Sequence, residues 1–182
     1  SMPGLFHQPT ERRNFLKIVS AAGAAAVFSG CSSAPKSASS GATGKPLHLP
    51  LLADTHVAGN KLDTNRGFKP WDNLQKAVGE VEAARPEGVI LCGDAARTEG
   101  KPEDYKEVKS LLGPLAAFAP IFIALGNHDD RANFNKEFTQ AAGNKAGLKD
   151  RHVLAFEEQD LRFVILDSLM FVNKTPGLLG KE

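Results

Sequence analysis

Three short polar stretches in this chain hold residue types that bind metal ions: Asp54-Thr55-His56, Gly93-Asp94 and Gly126-Asn127-His128-Asp129. Carboxylates supply hard oxygen donors and cancel cation charge. A neutral imidazole supplies a borderline nitrogen donor, and a carboxamide oxygen coordinates without adding charge. An Asp-x-His spacing on an extended segment puts both side chains on one side, because strand side chains alternate. Asp54 and His56 are therefore expected to reach one ion together. The glycines before Asp94 and Asn127 let the backbone turn sharply where a ligand must point inward. A carboxylate such as Asp94 has two oxygens and can bridge two ions, which lie about 3.5–4 Å apart in two-metal sites. Each stretch alone is a common loop sequence. The three in this order, each directly after an apolar run, are a specific signal.

The elements that must position them follow from the same runs. Residues 47–53 form an apolar strand ending at Asp54. Residues 89–92, Val-Ile-Leu-Cys, form a second ending at Gly93-Asp94, and residues 121–125 a third ending at Gly126. Between them, residues 71–84 carry Trp71, Leu74, Ala77, Val78, Val81 and Ala84 at spacings of three and four, which predicts an amphipathic helix. A second helix is predicted over 102–112, with Tyr105, Val108, Leu111 and Leu112 on its apolar face and Gly113-Pro114 breaking it. A short third helix is expected over 133–142. Helical crossovers imply parallel strands, whose carboxyl ends share one sheet edge, where open α/β sheets place ligands. Residues 152–156 and 161–166 then read as a hairpin around Gln159-Asp160. The fold class is α/β, with parallel and antiparallel pairing making the sheet system mixed.

The net charge of +1 over 182 residues gives no sign of a nucleic-acid or polyanion partner. It conceals an asymmetry. Residues 1–46 hold five basic side chains (Arg12, Arg13, Lys17, Lys36, Lys45) against Glu11, and the remainder holds 17 basic and 20 acidic residues. The leader opens Arg12-Arg13-Asn14-Phe15-Leu16-Lys17 before a moderately apolar run, which resembles a twin-arginine export signal with Glu11 in place of the usual hydroxyl residue. The run is shorter than the ~20 residues a membrane span needs. It ends Phe28-Ser29-Gly30-Cys31, which resembles a lipoprotein attachment box with Cys31 as the lipidated residue. Cleavage near Ala34 is the alternative. Residues 32–46, rich in Ser, Ala, Gly, Pro and Lys, read as a flexible linker. The expectation is an exported protein, periplasmic or at the cell surface: a signal over 1–31, a linker over 32–46 and a domain over 47–182. Two cysteines make no disulfide framework, and Cys92 reads as a small core residue.

The motif order, the strand contexts and the phrases Gly93-Asp-Ala-Ala-Arg97, Gly126-Asn-His-Asp-Asp-Arg131 and Phe163-Val-Ile-Leu-Asp-Ser168 resemble the calcineurin-like metallophosphoesterases over about residues 47–182. The resemblance is closest to the branch with cyclic-nucleotide phosphodiesterase-like members. It implies a four-layer α/β/β/α sandwich of two mixed sheets and hydrolysis of a phosphate ester, mono- or diester, through two ions of Fe, Mn, Zn or Co. It implies Asp54 and His56 on the first metal, Asp94 bridging, Asn127 on the second, and His128 beside them as the phosphate-side catalyst. Asp129 would orient His128. Arg131 is a candidate for holding substrate phosphate, while Arg97 reads as solvated. The family pattern continues with a further histidine and a Gly-His-x-His, neither of which this sequence has before Glu182. The domain is therefore expected to be the N-terminal part of the fold, with weakened metal affinity, an incomplete second sheet and little hydrolysis of bis-p-nitrophenyl phosphate by itself. The alternative is a non-catalytic truncated remnant serving as an exported binding or structural module. His48 and His152 are expected to be strand-end or surface residues, and Asp167 either supports the metal site or caps a loop.

Overall fold

The computed structural model describes residues 45–139 and 150–179. The chain divides between Pro46 and Leu47, and the unit from Leu47 onward is the one described. The stretch expected to be an export signal, Cys31 and nearly all of the expected linker lie outside the described residues. Among those described, no helix is long and apolar enough to cross a membrane.

Eight elements follow in order: β1 (Leu51–Leu52), α1 (Pro70–Ala84), β2 (Val89–Cys92), α2 (Pro102–Ala116), β3 (Ile121–Ala124), α3 (Arg131–Glu137), β4 (Leu154–Glu158) and β5 (Leu161–Ile165). The first three strands make a parallel sheet in the order β1-β2-β3, with Leu51 opposite Ile90 and Ile90 opposite Phe122. β4 and β5 form a separate antiparallel hairpin. Among the described residues the two kinds of pairing thus stay in different sheets.

Side-chain alternation along the strands sorts the core into two. Val89, Leu91 and Ile123 face the helices and pack with Leu74, Val78, Tyr105, Leu115 and Phe134. Ile90 and Phe122 face the other way, onto Leu154 and Phe156 of the hairpin. There Phe122, Phe156 and Phe163 stack in a row, with ring centroids 3.5 and 4.8 Å apart. The layers are helices, parallel sheet and hairpin. Val164, Leu166, Phe171 and Leu179, on or after the hairpin, remain exposed.

Three expectations change. β1 is two residues rather than seven. Pro50 has no N–H to give, so pairing before it survives only as single bonds, Glu87 N–H to His48 O and Ile90 N–H to Pro50 O. The second helix runs through Gly113-Pro114 to Ala116. A helix-interior proline costs about 3 kcal/mol. Leu115 and Ala116 are buried, and burying a leucine recovers roughly 1.5–3 kcal/mol close to the helix end. Cys92 is exposed rather than in the core, because it lies past the part of the strand that the hairpin covers.

One ion pair ties the segment after the hairpin to helix α3. Arg131, at the start of α3, forks onto the buried Asp167 just after β5, with Nε to Oδ2 at 2.7 Å and Nη2 to Oδ1 at 2.9 Å. Asp167 also accepts the His152 and Leu169 amides. Burial alone would raise its pKa. The guanidinium and the two amides outweigh burial and hold it below the ordinary carboxylate value. A depressed folded pKa contributes stability that is present above the unfolded value of about 3.9 and lost as pH falls through the folded one. Asp167→Asn is therefore expected to cost about 3 kcal/mol at pH 7. That difference should shrink below about pH 3, as read from urea unfolding at several pH values.

Candidate metal centre

The ends of β1, β2 and β3 come together on one edge, as the motif order implies. The backbone of the first two continues in parallel contact past the strands: Asp54 N–H to Gly93 O, His56 N–H to Asp94 O and Val57 N–H to Ala95 O. This holds the first motif against the second. Asp54, His56 and Asp94 all adopt left-handed backbone, with φ of +52°, +45° and +49°. Asp54 and His56 are thus not side by side through strand alternation. Two left-handed turns bring their side chains together, at a cost of about 1–3 kcal/mol for each strained residue that only the surrounding structure sustains.

The two glycines have distinct reasons. Gly93 has φ of +88°. A Cβ on Gly126 would lie 2.1 Å from Asp94 Oδ1, so only glycine lets the third loop close over that carboxylate. Asp94 Oδ1 in turn accepts the His128 amide at 2.9 Å.

The donors converge. His56 Nε2 is 3.8 Å from Asp54 Oδ1 and 4.0 Å from Asp94 Oδ2, too far to hydrogen-bond and close enough to share an ion. His56, Asp94 and His128 each offer one ligand atom within 4.8 Å of the others. Both rings are held the same way. His56 Nδ1 lies 3.3 Å from Arg97 O and His128 Nδ1 lies 3.0 Å from Thr98 O. A carbonyl only accepts, so each Nδ1 carries the proton and each Nε2 keeps its lone pair for a ligand. The two rings meet edge to face with centroids 5.2 Å apart. His128, expected beside the metals, thus offers a ligand atom to the same group as His56 and Asp94. Asn127 follows Gly126 on the same edge, its backbone carbonyl accepting the Asn173 amide.

Two assignments change. Asp129 does not orient His128; Thr98 O does. The Asp129 carboxylate is fully buried and accepts Gly126 N–H at 2.8 Å, Ala96 N–H at 3.2 Å, Ala95 N–H at 3.4 Å and the Tyr105 hydroxyl at 3.1 Å. It ties the third loop to the second. Burial raises its pKa despite these bonds. Arg131 is committed to Asp167 and to Leu169 O, so its contacts serve the segment after the hairpin rather than a substrate phosphate. Arg97 is not free in solvent but pairs with Asp63 at 2.6 Å. His48 and His152 stand outside the cluster: the His48 amide donates to Glu87, and His152 is buried with Nε2 on Ile123 O.

Tyr105 was readable only as a core residue. Its hydroxyl also accepts the Asp130 amide at 2.8 Å, which fixes the start of α3, and burial raises its pKa. A polar tip on a helix's apolar face was the available signal. Tyr105→Phe is expected to leave that amide unsatisfied and to cost about 2 kcal/mol in a denaturant titration.

A parallel sheet with helices on one face, a hairpin on the other and His and Asp donors at its carboxyl edge define a metallophosphoesterase-like protein. The chain belongs to the calcineurin-like phosphoesterase family, whose model matches residues 50–174. It is 30% identical over 121 residues to a cAMP/cGMP dual specificity phosphodiesterase of Mycobacterium tuberculosis, covering 64% of this chain and 36% of that protein. It is 34% identical over 95 residues to a probable cyclic nucleotide phosphodiesterase of Rhodococcus erythropolis, covering 50% and 31%. It is 33% identical over 92 residues to a glycerophosphodiester phosphodiesterase of Enterobacter lignolyticus, covering 47% and 31%. The matches thus span about a third of the length of these curated relatives. The family is a hydrolase family, typically metal-dependent, acting on phosphate esters.

Proposed function

We propose that this chain carries the metal-binding core of a dinuclear phosphodiesterase. The observation that supports the reading is the His56 nitrogen between two carboxylates, with its other nitrogen fixed on a backbone carbonyl. In this reading Asp54, His56 and Asp94 hold the first ion, and Asp94 and Asn127 the second. The donor set fits: two carboxylates offset the ions' charge, and imidazole suits the middle of the first-row metals. Bound there, the ions supply positive charge against the phosphoryl oxygens.

The chain's own groups do the rest. Hydrolysis joins water's oxygen to phosphorus, breaks the bond to the leaving oxygen and places a proton on that oxygen. His128 keeps Nδ1–H on Thr98 O and turns Nε2 toward the site; Nε2 first takes up a proton from water and then gives it to the leaving oxygen. Asp129 ties the second loop to the third, and the Tyr105 hydroxyl fixes it there.

The test is phosphate binding to the full chain by calorimetry. Inorganic phosphate is expected to bind at least tenfold tighter with manganese present, and Asp94→Asn should remove that gain. Binding that ignores both manganese and Asp94→Asn would overturn the reading.

A further inference from the structure

A cleft of about 340 Å³ opens beside Asp54 and His56, between the end of β1 and helix α1. That is at the small end for a ligand pocket and enough for one flat ring system. One wall is apolar, with Leu74 from α1 and the ring of Phe68; the polar groups on it are Asn65, Arg66 and Asn73.

Arg66 stands apart from the other arginines among the described residues. Arg85 lies over Phe118, Arg97 pairs with Asp63, Arg131 with Asp167, Arg162 with Glu157, and Arg151 donates to Leu169 O. Arg66 has no partner among the described residues. Its backbone is fixed all the same. Asn65 and Phe68 exchange both backbone hydrogen bonds, at 2.8 and 2.9 Å, around Arg66 at φ +50° and Gly67 at φ +85°. Positive φ at both central residues is the pattern of a type I′ turn. Glycine adopts it freely; an arginine does so at a cost in stability. The turn holds the Phe68 ring, 65% exposed, and an unpaired guanidinium at a cleft that also contains two proposed metal ligands.

We propose that this cleft is a substrate pocket, and that it takes a planar heteroaromatic group, with Arg66 and Phe68 as its specificity-determining residues. The proposal rests on the phosphodiesterase reading. A flat ring packs against Phe68 and Leu74, and its edge nitrogens and oxygens meet the Asn65 and Asn73 amides. The Arg66 guanidinium lies on the ring face. A glycerol-type group has hydroxyls for the amides but no face to bury on this wall. The chemistry therefore favours a nucleotide diester over a glycerophosphodiester.

Two probes separate this claim from the reading beneath it. Adenosine has no phosphate and reports the cleft alone; adenosine 5′-monophosphate and glycerol 3-phosphate, with manganese, report both together. Calorimetry on the full chain is expected to give adenosine measurable binding where glycerol has none, and a preference of at least tenfold for adenosine 5′-monophosphate over glycerol 3-phosphate. Phe68→Ala and Arg66→Gly should each reduce that preference at least fivefold with manganese and inorganic phosphate binding unchanged. Both side chains are exposed, and Arg66→Gly relieves the left-handed residue, so it should melt no lower than the parent while binding more weakly. A purely structural role would not give that combination. Equal affinity for the two monophosphates, or a preference unchanged in both variants, would overturn the proposal even if manganese still promotes phosphate binding. Adenosine binding that survives while manganese promotes nothing would instead leave the cleft assigned and sink the phosphodiesterase reading.

Discussion

Asp94→Asn is expected to lower manganese affinity by about a hundredfold or more, without unfolding the chain. Groups that merely orient ligands change metal affinity by about 10–100-fold, and Asp94 is proposed as a ligand itself. The asparagine keeps an oxygen in place of Asp94 Oδ1, so the bond from the His128 amide and the fit against Gly126 persist. What is lost is the negative charge and the second oxygen, the one facing His56. Manganese titration by calorimetry, with thermal unfolding of the same variant, checks both halves. A variant that binds manganese like the parent removes Asp94 from the site. One that unfolds makes its role structural.

Asp129→Asn should be the most damaging substitution for the fold. The carboxylate accepts four donors, three of them backbone N–H groups from two different loops. An asparagine offers one acceptor oxygen and turns an NH₂ toward donors that have nowhere else to go. Bonds to a charged group contribute about 1.5–3 kcal/mol each, and stranded buried donors cost about as much again. A loss of about 3–5 kcal/mol is expected, against a total of about 5–15 for a domain. Urea unfolding measures it. A change under 1 kcal/mol would mean that the second and third loops are held together by something else.

Much of this was legible in the sequence, and the reasons are local. The three apolar runs are short, bounded by Gly and Pro, and each ends in its motif, so the parallel strands and the shared edge followed from the pattern. The helix of residues 71–84 was legible because six apolar residues recur at helical spacing. What could not be read depends on contacts between distant segments. Asp-x-His reads as extended by its own spacing; only pairing with Gly93, Asp94 and Ala95 forces left-handed backbone on Asp54 and His56. Asp129 sits next to His128 in sequence, which suggests a pair, yet its carboxylate turns inward to amides of the neighbouring loop. Arg131 and Asp167 are far apart in sequence, so their fork was invisible, and Arg131 looked available for phosphate. Arg66 gave no signal, since an arginine before a glycine is an ordinary loop dipeptide.

In the proposed site Asp54, His56 and Asp94, from two loops, hold a metal ion beside His128. Cobalt(II) titration of the full chain, followed by its visible absorption, tests it most directly, because the bands arise only from coordinated ion. Saturable bands are expected in the parent, lost in His56→Ala and in Asp94→Asn, and kept, shifted at most, in His128→Ala. A parent with no bands, or bands indifferent to His56 and Asp94, would contradict it.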